Sequence, residues 1–64
     1  MGLRERNKAD KWRRIVDAAG RLFATRGFEA TTTAAIAEEA GIGTGTLYLY
    51  VTSKEDLLLA VFRV

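Results

Sequence analysis

Six apolar residues, Trp12, Ile15, Val16, Ala19, Leu22 and Phe23, step i, i+3, i+4, i+7, i+10 and i+11 and so fall on one stripe of an α-helix. Such a stripe is stable only when other elements cover it, and 64 residues leave room for one small core. The spacing therefore predicts a single all-α domain of short helices packed on this one. Gly27 follows Arg26 where a left-handed cap is wanted, and a basic side chain in the last turn suits the helix dipole. The first helix is expected to end near Arg26.

Downstream, the punctuation is again local. Thr31, Thr32 and Thr33 are β-branched hydroxyl residues that disfavour a helix interior but can accept from its first free N–H groups. A second helix is expected from about Thr33 to Ala40, with Ile36, Ala37 and Ala40 on one face and Gly41 stopping it. A third is expected from about Thr44 to Tyr50, docked on the core because Gly43-Thr44-Gly45 is a poor helix sequence alone. Ser53-x-x-Asp56 is a variant of the capping box and opens a fourth helix at Ser53. Its run Leu57, Leu58, Leu59, Ala60, Val61, Phe62 covers most of the helix circumference. One face cannot bury them all, so a continuation of the chain packing on the other side is expected.

Composition narrows the function. There is no Cys and no His, which removes disulfides, thiol nucleophiles, imidazole bases and the usual transition-metal ligands together. No enzyme activity, cofactor or metal is expected. With 48% hydrophobic and 28% charged residues the chain has a folded domain's composition, and no apolar run approaches the roughly 20 residues of a membrane span. The charged N-terminus is no secretory signal, so a cytoplasmic location is expected. The net charge of +2 conceals an asymmetry: residues 1–27 carry eight basic and three acidic side chains, whereas the remainder carries two and five. Only the first half can attract a polyanion by bulk charge.

A pair of helices crossing steeply needs a small residue where they approach, a Gly in the turn and apolar residues that lock them. Ala37, Gly41, Ile42 and Leu47 meet those demands, with Ile36, Ala40 and Tyr50 on the same buried side. This spacing suits a DNA-reading pair and a purely structural helical hairpin alike. If Leu47 points inward, the outward residues are Thr44, Gly45, Thr46, Tyr48 and Leu49, a narrow uncharged surface that fits a groove. A nucleotide-loop reading of Gly41 to Thr46 fails, since Thr46 stands where G-x-G-x-x-G needs Gly and no strand precedes it.

The series Thr32-Thr33-x-x-Ile36-Ala37-x-x-Ala40-Gly41-Ile42-x-x-Gly45-Thr46-Leu47-Tyr48-x-Tyr50, followed by Ser53-Lys54-Glu55-x-Leu57-Leu58, resembles the N-terminal domain of the tetracycline-repressor family of bacterial transcriptional regulators. Upstream, Ile15-Val16-x-Ala18-Ala19-x-x-Leu22-Phe23-x-x-x-Gly27-Phe28 extends the resemblance, which covers about Ile15 to Val61. It implies a homeodomain-like three-helix bundle with a helix-turn-helix at residues 32–51, a flexible basic arm at 1–9 and the start of a linking helix at 53–64. It also implies a larger ligand-binding and dimerisation domain that this chain does not contain. The implied partners are a palindromic duplex operator, a second copy of the longer protein and a small-molecule inducer, with no membrane.

Carried over by position, the resemblance makes Thr32, Thr33, Thr44, Gly45, Thr46, Tyr48, Tyr50 and Lys54 the DNA-binding set. Thr33 would touch phosphate at the start of the second helix, residues 44–48 would form the main contact row, and Lys54 would grip the phosphate backbone. Hydroxyls and free amides at helix starts donate to phosphate oxygens, and an ammonium releases a condensed counterion. Tyr50 is expected mainly in the core, with its hydroxyl reaching toward DNA. Trp12 is expected at the core edge. Ala34 and Leu49 stand where relatives often carry polar base-reading residues, and Val51 where an aromatic is common. No Arg, Lys, Asn or Gln lies between Thr32 and Val51, so thymine methyls and DNA shape are the expected basis of readout. The other use open to the chain is a small helical interaction module docking a partner through residues 57–62.

Overall fold

A computed structural model describes the backbone of residues 3–62 and the side chains of residues 9–62. Four helices follow one another: α1 (Leu3–Arg26), α2 (Thr33–Ala40), α3 (Thr44–Leu47) and α4 (Lys54–Phe62). The long α1 is the platform. Both α2 and α4 pack on it, and α3 packs on α2. The predicted stripe supplies Ile15, Ala19 and Leu22 to the core together with Ala18, and these meet Ile36, Ala37, Ala40, Leu47, Val51 and Leu57. Trp12 and Phe23 are partly buried at its margin. Val51, an aliphatic residue where an aromatic was the family expectation, is itself buried.

The helix ends obey local chemistry. Gly27 adopts φ +86° and donates its N–H to Phe23 at 3.0 Å, which ends α1 at Arg26 as the sequence predicts. At α2, Thr32 is the cap, its Oγ1 accepting from the Ala35 N–H at 3.0 Å. Its far end closes in a Schellman motif: Gly41, at φ +76°, donates to Glu38 at 3.1 Å while Ile42 donates to Ala37 at 2.9 Å. Ile42 then packs against the core beside the helix it has just closed.

Two expectations change, and the start of α4 holds. Residues 3–9, expected as a flexible basic arm, are helical and belong to α1, while Met1 and Gly2 lie outside the described residues. Leu, Arg, Glu, Lys and Ala in this stretch are strong helix formers, and no Gly or Pro interrupts the chain between Leu3 and Ala19. Once the packed half of α1 exists, adding turns costs little. The third helix is four residues long rather than reaching Tyr50. After Leu47 the chain tightens into i→i+3 bonds, Leu49 N–H to Thr46 at 3.1 Å and Tyr50 N–H to Leu47 at 2.9 Å. The fourth helix begins at Lys54, with Ser53 as its cap through a 3.3 Å bond from the Asp56 N–H, and residues 63–64 lie outside the described part. Along α4, Leu57 is fully buried, whereas Leu59 and Phe62 remain 69% and 75% exposed. No described helix is long and apolar enough to cross a membrane.

Candidate nucleic-acid interface

The candidate surface is built from the start of α2 and from α3 with the turn after it. Leu47 is the only fully buried residue of α3, and its entry into the core that also holds Ile36 and Ala37 of α2 decides which side of the short helix faces out. Thr44, Gly45 and Tyr48 are exposed and Thr46 is partly so. None of the four is taken into the core. Tyr48 lies one turn beyond Thr44, its N–H bonded to the Thr44 carbonyl at 3.1 Å. Across the helix pair, Tyr48 Oη and Thr33 Oγ1 are hydrogen-bonded at 2.8 Å. The two hydroxyls therefore sit side by side at the junction of α2 and α3, each with lone pairs or a proton left for a further partner.

The three consecutive threonines divide their work. Thr31 is fully buried, its hydroxyl shared between the carbonyls of Gly27 at 2.8 Å and Leu22 at 3.1 Å. Thr32 caps α2, and Thr33 faces Tyr48. Sequence reasoning took Thr32 and Thr33 into the site and passed over Thr31, whose structural role fixes the turn that delivers the other two.

Tyr50 and Lys54 are drawn elsewhere. The Tyr50 ring is partly buried and stacks on Trp12 of α1, centroids 6.0 Å apart and planes 15° from parallel. Lys54 Nζ donates to the Phe28 carbonyl at 2.8 Å and lies 4.3 Å from the centroid of the Phe28 ring. Neither residue is hydrogen-bonded to the Thr33–Tyr48 pair, and the ammonium expected to grip phosphate also has partners within the protein. Nothing local in the sequence signalled this, because Phe28 is 26 positions away.

The electrostatics follow from α1. The described cations Lys11, Arg13, Arg14, Arg21 and Arg26 are all exposed on it, whereas α2 carries exposed Glu38 and Glu39. Arg21 Nε pairs with Glu39 at 3.3 Å, a solvent-exposed contact of small energetic weight. Residues 44–50 are uncharged. This region offers hydroxyls, amides and methyl groups rather than the nucleophile and base pairs that covalent chemistry needs.

A short helix pair joined by a Gly turn and locked by a buried Leu is the arrangement found in helix-turn-helix domains. The model for bacterial regulatory proteins of the tetR family matches residues 15–61. The chain belongs to that family. It is 38% identical over 58 residues to the fatty acid metabolism regulator protein of Bacillus subtilis, covering 91% of this chain and 30% of that protein. An uncharacterized HTH-type transcriptional regulator of the same bacterium, YerO, is 51% identical over 51 residues, 80% of this chain and 18% of its own length. The HTH-type transcriptional repressor KstR2 of Rhodococcus jostii is 41% identical over 56 residues, 88% of this chain and 28% of that protein. Among solved structures, a tetR family transcription regulator from Shewanella sp. PV-4 superposes with a TM-score of 0.79 at 48% identity, covering 81% of this chain and 28% of that one. The chain thus spans less than a third of the length of these relatives.

Proposed function

We propose that this chain is the operator-reading head of a bacterial transcriptional regulator, acting in the cytoplasm by occupying duplex DNA rather than by catalysing a reaction. The observation that carries the reading is the outward row Thr44, Gly45, Thr46 and Tyr48, left uncovered by the inward Leu47 and joined to Thr33 by the 2.8 Å hydroxyl contact. Those groups touch backbone phosphates and base edges in the major groove, and the cations of α1 supply the long-range attraction. The kinship to repressors favours repression over activation. In the longer regulator two copies would place their α3 segments about 34 Å apart, which calls for a two-fold symmetric site, and a small-molecule inducer would act through the remainder. Two of the sequence-derived contacts are secondary in this reading, because Tyr50 is stacked on Trp12 and Lys54 is engaged by Phe28.

Selection of duplexes from a random pool, followed by titration with fluorescence anisotropy, tests the proposal. Binding falls steeply with salt, and Tyr48→Ala weakens it about tenfold, within the range of one lost polar contact, while helicity is unchanged. The exposure of Leu59 and Phe62 favours a second use of α4 as a docking surface for another apolar element. Phe62→Asp separates the two: duplex binding survives it if the head reads DNA through α3. Retained affinity in Tyr48→Ala, or salt-independent binding, refutes the assignment.

A further inference from the structure

The turn that carries Tyr48 and Leu49 away from α3 is pinned at its far end and steadied by a ring from α1. Val51 is buried, and its N–H and that of Tyr50 both bond the Leu47 carbonyl, at 3.2 and 2.9 Å. Between the exposed Leu49 and the buried Val51 stands Tyr50, its ring partly buried and stacked on Trp12, centroids 6.0 Å apart and planes 15° from parallel. α3 itself packs on α2, so the stack ties the segment that follows α3 directly to α1.

α3 has four residues, no side-chain cap and one buried side chain, which is too little to fix the course of the chain beyond it. Trp12 supplies what is missing. Near-parallel rings at this separation attract each other beyond the area they bury, and stacking engages the ring face, which leaves the Tyr50 hydroxyl open to an outside partner. Both rings are only partly buried, and the indole also borders an open cleft with Val16 and Ala60, so each ring is held in large part by the other. We propose that Trp12 is a positioning residue of the nucleic-acid interface: stacked on Tyr50, it holds the turn after α3 against α1 and thereby sets where Tyr48 and Leu49 are presented. Its consequence for DNA rests on the function proposed above; the ordering of the turn does not.

The test uses the whole chain with Trp12→Leu, Trp12→Phe, Tyr50→Leu and the Trp12→Leu/Tyr50→Leu pair. Amide hydrogen exchange read by NMR, with no nucleic acid present, reports the turn. In Trp12→Leu, protection at the Leu49 and Tyr50 amides, bonded to Thr46 and Leu47, falls several-fold further than at Gly41 and Ile42, which close α2. The loss is smaller when Tyr50 is already Leu, because the ring partner has gone. Tyr50→Leu shifts the emission of Trp12, the one tryptophan of the chain, as water reaches the uncovered face, and carries the test should Trp12→Leu not fold. On the selected duplex, Trp12→Leu binds about two- to tenfold more weakly, the range open to one aromatic pair, and Trp12→Phe, which can still stack, restores most of the loss.

Equal loss of protection at Gly41, Ile42, Leu49 and Tyr50 overturns the proposal, since it would make Trp12 an ordinary part of the core. So do additive effects of the two substitutions, an emission unmoved by Tyr50→Leu, full duplex affinity in Trp12→Leu, or a Trp12→Phe chain as weak as Trp12→Leu. Absence of any duplex binding by the parent chain would instead strike the proposed function, and the exchange comparison would still decide whether Trp12 orders the turn.

Discussion

The two helices of the motif adjoin in the chain and are held in opposite ways. α2 is closed by its own residues, Thr32 at one end and Gly41 with Ile42 at the other, and buries Ile36, Ala37 and Ala40 along its length. α3 has four residues, begins at Gly43 with no side-chain cap, contains a second glycine and buries only Leu47. Left to itself such a segment would not be helical, since nucleation is costly and glycine adds to the cost. It exists because Leu47 is buried in a core to which α1, α2 and α4 contribute, with α3 packed on α2. That dependence has a functional side: the outward residues of α3 can be small and hydroxylated because none of them is needed to hold the helix.

Breaking this arrangement at its anchor gives the largest expected effect. Leu47→Ala removes a fully buried side chain and costs about 2–5 kcal/mol, the range for such a truncation in a packed core. In a domain this small that is much of the total stability. Urea unfolding is expected to show a strongly lowered midpoint, and hydrogen exchange to show loss of protection first at the Tyr48 and Val51 amides, bonded to Thr44 and Leu47. Equal loss across α2 at the same denaturant concentration would mean that the two helices do not differ in the way described.

The turn between them offers a finer test, because its two glycines are there for different reasons. Gly41 has φ +76° and Gly43 φ −77°, and a Cβ added at either position meets nothing within 4 Å. Space is therefore not what excludes a side chain. Gly41→Ala forces an L-residue into the left-handed region and costs about 1–2 kcal/mol. Gly43→Ala fits an extended backbone any residue adopts, and its gain of about 0.4–1 kcal/mol through the unfolded chain is offset by Ala being a poorer N-cap than Gly, leaving a change near zero. A clear loss of Tm at Gly41 beside a small change at Gly43 is the expected result, and two losses of equal size would contradict it.

What could be read beforehand was what local chemistry decides. Gly27, Gly41, Thr32 and Ser53 mark helix ends because positive φ and a capping hydroxyl are properties of one residue and its neighbours. The start of α1 was missed for a physical reason: an apolar stripe reports burial, and residues 3–9 are helical without one. The end of α3 was missed because docking of Leu47, not the propensity of Tyr48 to Tyr50, sets where the helical bonds tighten. In the interface, the outward row was legible from the inward Leu47. The split among Thr31, Thr32 and Thr33 was not, since three identical side chains differ only in what lies opposite them. The link from Lys54 to Phe28 was not legible, because its partners are a carbonyl and a ring, groups with no charge to flag them.

The start of α4 extends the comparison to a third way of holding a helix, by a carboxylate outside the core. Sequence spacing suggests a capping box in which Asp56 returns to the cap residue Ser53. Its carboxylate instead bonds the Thr52 hydroxyl and, at 3.1 Å, the Thr52 N–H, while Ser53 Oγ accepts from the Asp56 N–H. The Thr52 hydroxyl first, and its N–H second, hold the Asp56 carboxyl below its ordinary value of 3.8. A depressed carboxylate contributes stability that is fully present above the unfolded value and lost as pH falls through the folded one. Asp56→Asn is therefore expected to be slightly less stable than the parent at pH 7, with the difference shrinking once the pH drops below 3.8. Because the carboxylate sits in water, the effect is the smallest of the set, and salt weakens only its charge component. A difference that persists undiminished at pH 2 would place the stabilisation in packing rather than in the charge of Asp56.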